Sequence, residues 1–112
     1  MKIAIPVANG KLNLHFGHCA GFDVFEADAK AKTLGEKTYI EAPPHEPGLL
    51  PRFLHEKGIT DIIAGGMGNR AMQLFSQNGI NVFVGAPCES SEKLAQDYLN
   101  GTLKAGENAC DH

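Results

Sequence analysis

The 112-residue chain reads as an α/β sandwich with a mixed five-stranded sheet, its elements in the order β-β-β-α-β-α-β-α. Three observations predict this. The first forty residues hold short β-rich runs with brief polar turns between them. From Glu46 the apolar spacing turns helical. The second half twice repeats a glycine stop followed by a buried strand.

Taken in order, Ile3–Ala8 is a short apolar strand, in which Pro6 argues against a long, fully paired ladder because proline has no donor. Phe22–Ala27 is the second strand, with imperfect alternation. Polar Asp28–Lys32 turns the chain into a third strand near Thr33–Ile40. Connections this short favour an antiparallel meander. Leu49, Leu50, Phe53 and Leu54 then fall at helical spacing, Pro51 suits a first turn, and Gly58 supplies the stop. Ile59–Ala64 is a buried strand. Ala71, Leu74 and Phe75 form a helical stripe closed by Gly79, and Ile80–Val84 is the last strand. Ser90 or Ser91 caps a final helix carrying Leu94, Ala95, Tyr98 and Leu99, with Gly101 after it. Lys57–Ile63 and Asn78–Val84 echo each other, the pattern of successive right-handed β-α-β units. Residues 1–101 are expected to form one domain and residues 102–112 a flexible C-terminal tail, whose Cys110-Asp111-His112 could chelate metal but is incidental or auxiliary because ordering a chain end costs entropy.

Composition narrows the function. The chain is 43% hydrophobic with 6 Phe, enough for a core without staples, and its net charge of −3 leaves no basic footprint for nucleic acid. No apolar run approaches the roughly 18–20 residues of a membrane span. Met1-Lys2 leads straight into a strand with no signal-peptide pattern. Three cysteines with no C-x-x-C pair make a disulfide framework a poor reading, so a cytoplasmic location is expected.

In an open α/β sheet, ligands bind beyond the carboxyl ends of the parallel strands, where helix N-termini present free N–H groups. If strands one, three, four and five run the same way and strand two is opposed, the connections 9–20, 42–48, 65–70 and 85–90 open on one edge. They carry His15, His18, Cys19, His45, the Gly65-Gly66-Met67-Gly68 loop, Arg70 and Cys88. His15, His18 and Cys19 offer two imidazoles and a thiol within five residues, soft or borderline metal ligands. On spacing alone, metal contact and a loop whose polar groups satisfy its own backbone both stay open. Gly65–Gly68 lies between strand and helix and leaves N–H groups uncovered. It is an anion cradle or a tight turn packed for its own sake, and it lacks the Gly-Lys-Ser/Thr ending of a P-loop. Arg70 adds a cation in the first helical turn. Cys88, at the start of the last helix, is a thiol with a lowered pKa or a small buried residue. His45 stands in the stiff Pro43-Pro44-His45-Glu46-Pro47 connection, as a held ligand or a surface residue.

Ile3-Ala4-Ile5-Pro6-Val7, the His15-Phe16-Gly17-His18-Cys19 segment and above all Ile62-Ile63-Ala64-Gly65-Gly66-Met67-Gly68 carry a family resemblance. Over residues 1 to about 101 the chain resembles the dinitrogenase iron–molybdenum cofactor biosynthesis family, with its NifX-like, NifB C-terminal-like and orange-protein-like members. The resemblance implies a ribonuclease-H-like α/β/α fold with strand two antiparallel to the others. It implies a non-enzymatic role: binding, carriage or storage of an anionic metal–sulfur cluster (an iron–molybdenum cofactor precursor, Fe–S or Mo–Cu–S) in anaerobic or nitrogen-fixing prokaryotes. Partners would be cluster-donating or cluster-accepting proteins, with no nucleic acid or membrane involved and the chain a monomer or weak homo-oligomer. The cofactor-binding candidates are Gly65, Gly66, Met67, Gly68, Asn69 and Arg70; the metal-ligand candidates are His15, His18, Cys19, His45 and Cys88.

Two other classes are weighed against this. A nuclease of that fold needs carboxylates converging on Mg²⁺; Asp23, Glu26 and Asp61 lie on strands, but Ile3–Ala8 carries no carboxylate. A small phosphate- or nucleotide-binding regulatory module would use the same glycine cradle without thiol or imidazole.

Overall fold

The computed structural model describes residues 1–8, 11–12, 21–42 and 49–105. Its elements are β1 (Lys2–Ala8), β2 (Lys11–Leu12), β3 (Gly21–Asp28), β4 (Thr33–Glu41), α1 (Leu49–Glu56), β5 (Asp61–Ile63), α2 (Asn69–Gln77), β6 (Asn81–Phe83) and α3 (Ser91–Asn100). Five strands are ordered β4-β3-β1-β5-β6, and the two-residue β2 pairs with β1 outside that path. β1, β5 and β6 are mutually parallel, β3 is antiparallel to β1, and β4 is antiparallel to β3. The sheet is therefore mixed, with β3 the opposed strand of the five.

Alternate side chains of the strands supply two cores. Ala4, Phe22, Val24 and Ile62 face α1 and α2, meeting Leu54 and Phe75. Ile3, Ile5, Val7, Phe25 and Ile63 face α3, meeting Leu94, Ala95 and Leu99. Burial on both faces explains the weak alternation of β3, whose first five residues are all buried. Fully burying a phenylalanine such as Phe22, Phe25 or Phe75 contributes roughly 1.5–3 kcal/mol. β1 runs through Pro6, which is in register with Phe22, so the strand is longer than Pro6 suggested. β5 pairs only with Ile3 and Ala4, so Pro6 falls past that ladder.

The repeated half is built as its echo implies. Gly58 and Gly79 sit at φ +83° and +73°, a region that penalises a Cβ, and end α1 and α2. Each next residue then bonds back to the core: Ile59 N–H to Leu54 O at 3.1 Å and Ile80 N–H to Phe75 O at 2.9 Å. Both turns thus deliver an isoleucine 3% exposed at the mouth of a parallel strand. Past α3, the amides of Thr102 and Leu103 bond to Asp97 O, and Leu103 packs on the α3-side core. The expected tail boundary at 102 therefore falls within chain that touches the fold; residues 106–112, with Cys110, lie outside the described residues.

Candidate cluster-binding edge

The strand directions put the carboxyl ends of β1, β4, β5 and β6, from which four connections leave, at one edge of the sheet, together with the start of β3 at Gly21. Two of those connections are described, and the parallel ladder runs on between them. Ala64 N–H bonds Phe83 O at 2.8 Å, Ala86 N–H bonds Ala64 O at 3.2 Å, and Gly85 N–H bonds Gly65 O at 3.2 Å. The glycine loop and the Cys88 loop are thereby held side by side.

The glycine loop first dips and then emerges. Gly65 and Gly66 are buried, and Met67, 1% exposed, packs in the α1/α2 core. Gly68, Asn69 and Arg70 are exposed. The first intrahelical bond of α2 is Met72 N–H to Gly68 O at 3.1 Å, so the N–H groups of Asn69, Arg70 and Ala71 precede the ladder. Among the described residues no side chain caps this end, and no acidic residue stands in the first turn.

Gly68 has an ordinary extended conformation (φ −67°, ψ 154°), and a Cβ there would meet nothing within 4 Å. Neither strain nor packing against the described chain demands glycine at this cap.

The N-terminus of α3 on the same edge is built differently. Ser90 accepts from Lys93 N–H at 3.4 Å, and Glu92 lies in the first turn. Ser91 Oγ donates to Asp23 Oδ2 at 2.6 Å, with Lys37 Nζ 3.8 Å from the same oxygen. Acid near a helix N-terminus offsets its partial positive charge. The two ends thus differ in sign: α2 presents N–H groups that no described side chain caps and a guanidinium, while α3 is capped and flanked by carboxylates.

Cys88 is exposed, which removes the buried-residue reading. His15, His18 and Cys19, and likewise His45, lie outside the described residues. Among the described residues no group of three or more His, Cys, Asp or Glu is arranged to hold a metal ion. The strand carboxylates do not converge. Asp23 bonds Ser91; Glu26 pairs with Lys2 at 3.6 Å; Asp61, at the opposite edge, bonds Thr60, Asn81 and Tyr98.

Sequence reasoning missed Asp23, Ser91 and Tyr39 as features of this edge. Tyr39 is 51% exposed and lies across Gly21, where a Cβ would collide with its hydroxyl. For Asp23 a signal existed: an acid inside the β-rich Phe22–Phe25 run is a polar group placed for burial.

Comparison with known proteins agrees with this architecture. MJ0580, an uncharacterized protein of Methanocaldococcus jannaschii, is 30% identical over 110 residues, covering 96% of this chain and 92% of its own. The crystal structure of PH0822 superposes with a TM-score of 0.88 at 24% identity over the whole of both chains. The apo form of the orange protein from Desulfovibrio gigas matches with a TM-score of 0.73 at 22% identity, covering 96% of this chain and 93% of that one. No helix among the described residues is long and apolar enough to cross a membrane. The sequence profile described as dinitrogenase iron–molybdenum cofactor matches residues 1–101, and the chain belongs to that family.

Proposed function

We propose that this protein binds and carries an anionic metal–sulfur cluster at the carboxyl edge of its sheet, without catalysing a reaction. The observation that carries the reading is Gly68: a glycine that neither backbone strain nor packing against the described chain requires, beside three N–H groups that no described side chain caps. Keeping a Cβ away lets a bulky anion reach the positive end of α2, and Arg70 adds charge beside it. Gly65, Gly66 and Met67 set the loop's depth, and Gly68, Asn69 and Arg70 meet the cargo. Cys88 supplies a thiolate from the neighbouring loop. His15, His18 and Cys19, and His45 from the connection after β4, are the further ligands proposed from sequence. The cargo is a substrate of Fe–S, Fe–Mo–S or Mo–Cu–S type, received from one protein and passed to another in the cytoplasm.

The test is anaerobic reconstitution with tetrathiomolybdate, and separately with iron and sulfide, followed by visible spectra and elemental analysis. Near-stoichiometric uptake that is lost on Gly68→Val and weakened by joint His15→Ala, His18→Ala and Cys19→Ala substitution is the expected result. Uptake unchanged by the triple substitution removes that loop from the site. Tight binding of inorganic phosphate, with no uptake of either sulfide species, would replace the reading with the phosphate-binding module, which the same bare helix end also suits.

A further inference from the structure

We infer that Asp23 is a positioning residue for the Cys88-bearing loop, an inference that rests on the cluster-binding reading above. Its side chain is 6% exposed, and the serine it holds is 2% exposed, so this is an interior bond between groups 68 residues apart. Burying a carboxylate costs several kcal/mol unless its partners repay it. Among the described residues the partners are one hydroxyl at 2.6 Å and one half-exposed lysine at 3.8 Å. A valine would suit the strand and the apolar layer on this face, where Asp23 stands opposite Ile5 and Phe25 is a neighbour, without that cost. The partial positive charge at the α3 N-terminus offsets part of that cost, yet the apolar layer itself gives no reason for an acid at this place.

The location gives one. Ser91 is the first residue of α3, and Cys88 is three residues upstream of it. Asp23 is two residues into β3, whose first residue, Gly21, stands on the carboxyl edge. The hydrogen bond consequently pins the end of the Cys88 loop to the strand that opens the edge. A directional bond sets both distance and azimuth, whereas apolar contact tolerates sliding. Further along, α3 is held by Gln96 Nε2 to Lys32 O at 2.9 Å and by Tyr98 to Asp61 at 2.5 Å. Those two bonds fix the helix axis, and the Ser91 bond fixes its site-proximal end. Groups that orient a metal ligand from behind are typically worth 10- to 100-fold in metal affinity.

The experiment measures tetrathiomolybdate affinity under anaerobic conditions, the alkylation rate of Cys88 by peptide mapping, and the thermal midpoint, all on the full chain. Ser91→Ala is expected to weaken binding by roughly 10-fold or more and to change the Cys88 rate, while Ser91→Thr, which keeps the hydroxyl, stays near wild type. Asp23→Val combined with Ser91→Ala removes the bond and the buried charge together. It is expected to keep the thermal midpoint and still lose the affinity, which a merely structural pair would not do. Wild-type affinity and Cys88 rate in that double variant would overturn the inference while leaving the cluster reading intact. If the double variant does not fold, Asp23→Asn decides, since it keeps a hydrogen bond to Ser91: affinity retained there but lost in Ser91→Ala supports the role, and equal affinity in the two overturns it. Absence of uptake by wild type with both tetrathiomolybdate and iron sulfide would sink the cluster reading itself, and this inference with it.

Discussion

The hydroxyl of Tyr98 donates to the carboxylate of Asp61 at 2.5 Å, joining the last turns of α3 to the first residue of β5 across 37 positions of sequence. Thr60 Oγ1 at 2.7 Å and Asn81 Nδ2 at 3.3 Å complete the carboxylate's donors, and the Tyr98 ring meets Phe83 edge-on at 6.0 Å. The cluster lies at the edge of the sheet opposite the proposed cargo site. It is a structural anchor for the C-terminal end of α3.

This anchor predicts an alkaline weakness. Burial first, then the hydrogen bond to Asp61 and its negative charge, push the Tyr98 phenol well above its ordinary value near 10. A phenol whose pKa is raised on folding holds its proton longer in the folded state. Its contribution is thus complete below about pH 10 and is lost as pH rises through the folded value. Above pH 10, unfolding free energy should fall with a Tyr98 contribution of at most about 1.4 kcal/mol per pH unit. Tyr98→Phe should remove that part of the slope while lowering neutral-pH stability by roughly 1.5–3 kcal/mol. Urea melts of both proteins between pH 8 and 11 measure it; parallel curves would refute it.

Arg70 predicts effects of opposite sign on folding and binding. A cation in the first turn of a helix opposes the macrodipole, and Arg70 is the second residue of α2, which has no acid nearby in that turn. Arg70→Gln should therefore raise stability slightly, by about 0.3–1 kcal/mol, yet weaken tetrathiomolybdate binding by about fivefold at low salt. The binding difference should shrink towards 1 M salt, where the Debye length is about 3 Å. Thermal melts and titrations at two ionic strengths test both signs.

Much of this architecture is legible in the residues because local chemistry and long-range packing agree. The Gly58-Ile59 and Gly79-Ile80 steps announce helix stops and strand starts, and the structure uses both in the same way. Ser90 announces a cap and provides one. What stays hidden depends on partners distant in sequence. Nothing local tells Asp23 that Ser91 lies above it, or Gly21 that Tyr39 crosses it. Lys11–Leu12 falls inside the connection 9–20, where two residues carry no periodicity; only the ladder with Val7 and Ala8 defines that strand. At the site, glycine spacing points to Gly65–Arg70 as a whole, but burial divides it, sending Met67 into the core and leaving Gly68–Arg70 outside.

Gly21 should be intolerant of even one methyl group. A Cβ there would stand 2.6 Å from the Ile40 carbonyl oxygen, as well as against the Tyr39 hydroxyl. The tyrosine can swing away, but the backbone carbonyl belongs to the β3–β4 ladder and moves only with the strand. Gly21→Ala is expected to cost about 1–3 kcal/mol in urea unfolding. Adding Tyr39→Ala should recover only part of it, since the carbonyl conflict remains. Full recovery would assign the whole conflict to the ring.

Loading and stripping the cargo should register as stability even though no folded segment needs to change. The proposed site is assembled only in the native chain, from a glycine loop and a Cys88 loop about 20 residues apart in sequence, linked through Gly85 N–H to Gly65 O. A ligand that binds only this state at about 100 times its dissociation constant adds about 2.7 kcal/mol. For a domain of this size that is a rise on the order of 10 °C in the thermal midpoint. Removing the cargo by anaerobic gel filtration with a chelator should return the midpoint to its starting value. Gly68→Val should melt near the unloaded wild type, because a Cβ at Gly68 meets nothing within 4 Å among the described residues, and it should show no rise with cargo. A rise of equal size in that variant would place the cargo away from the α2 terminus, because a branched side chain standing over the exposed N–H groups cannot leave binding there undisturbed.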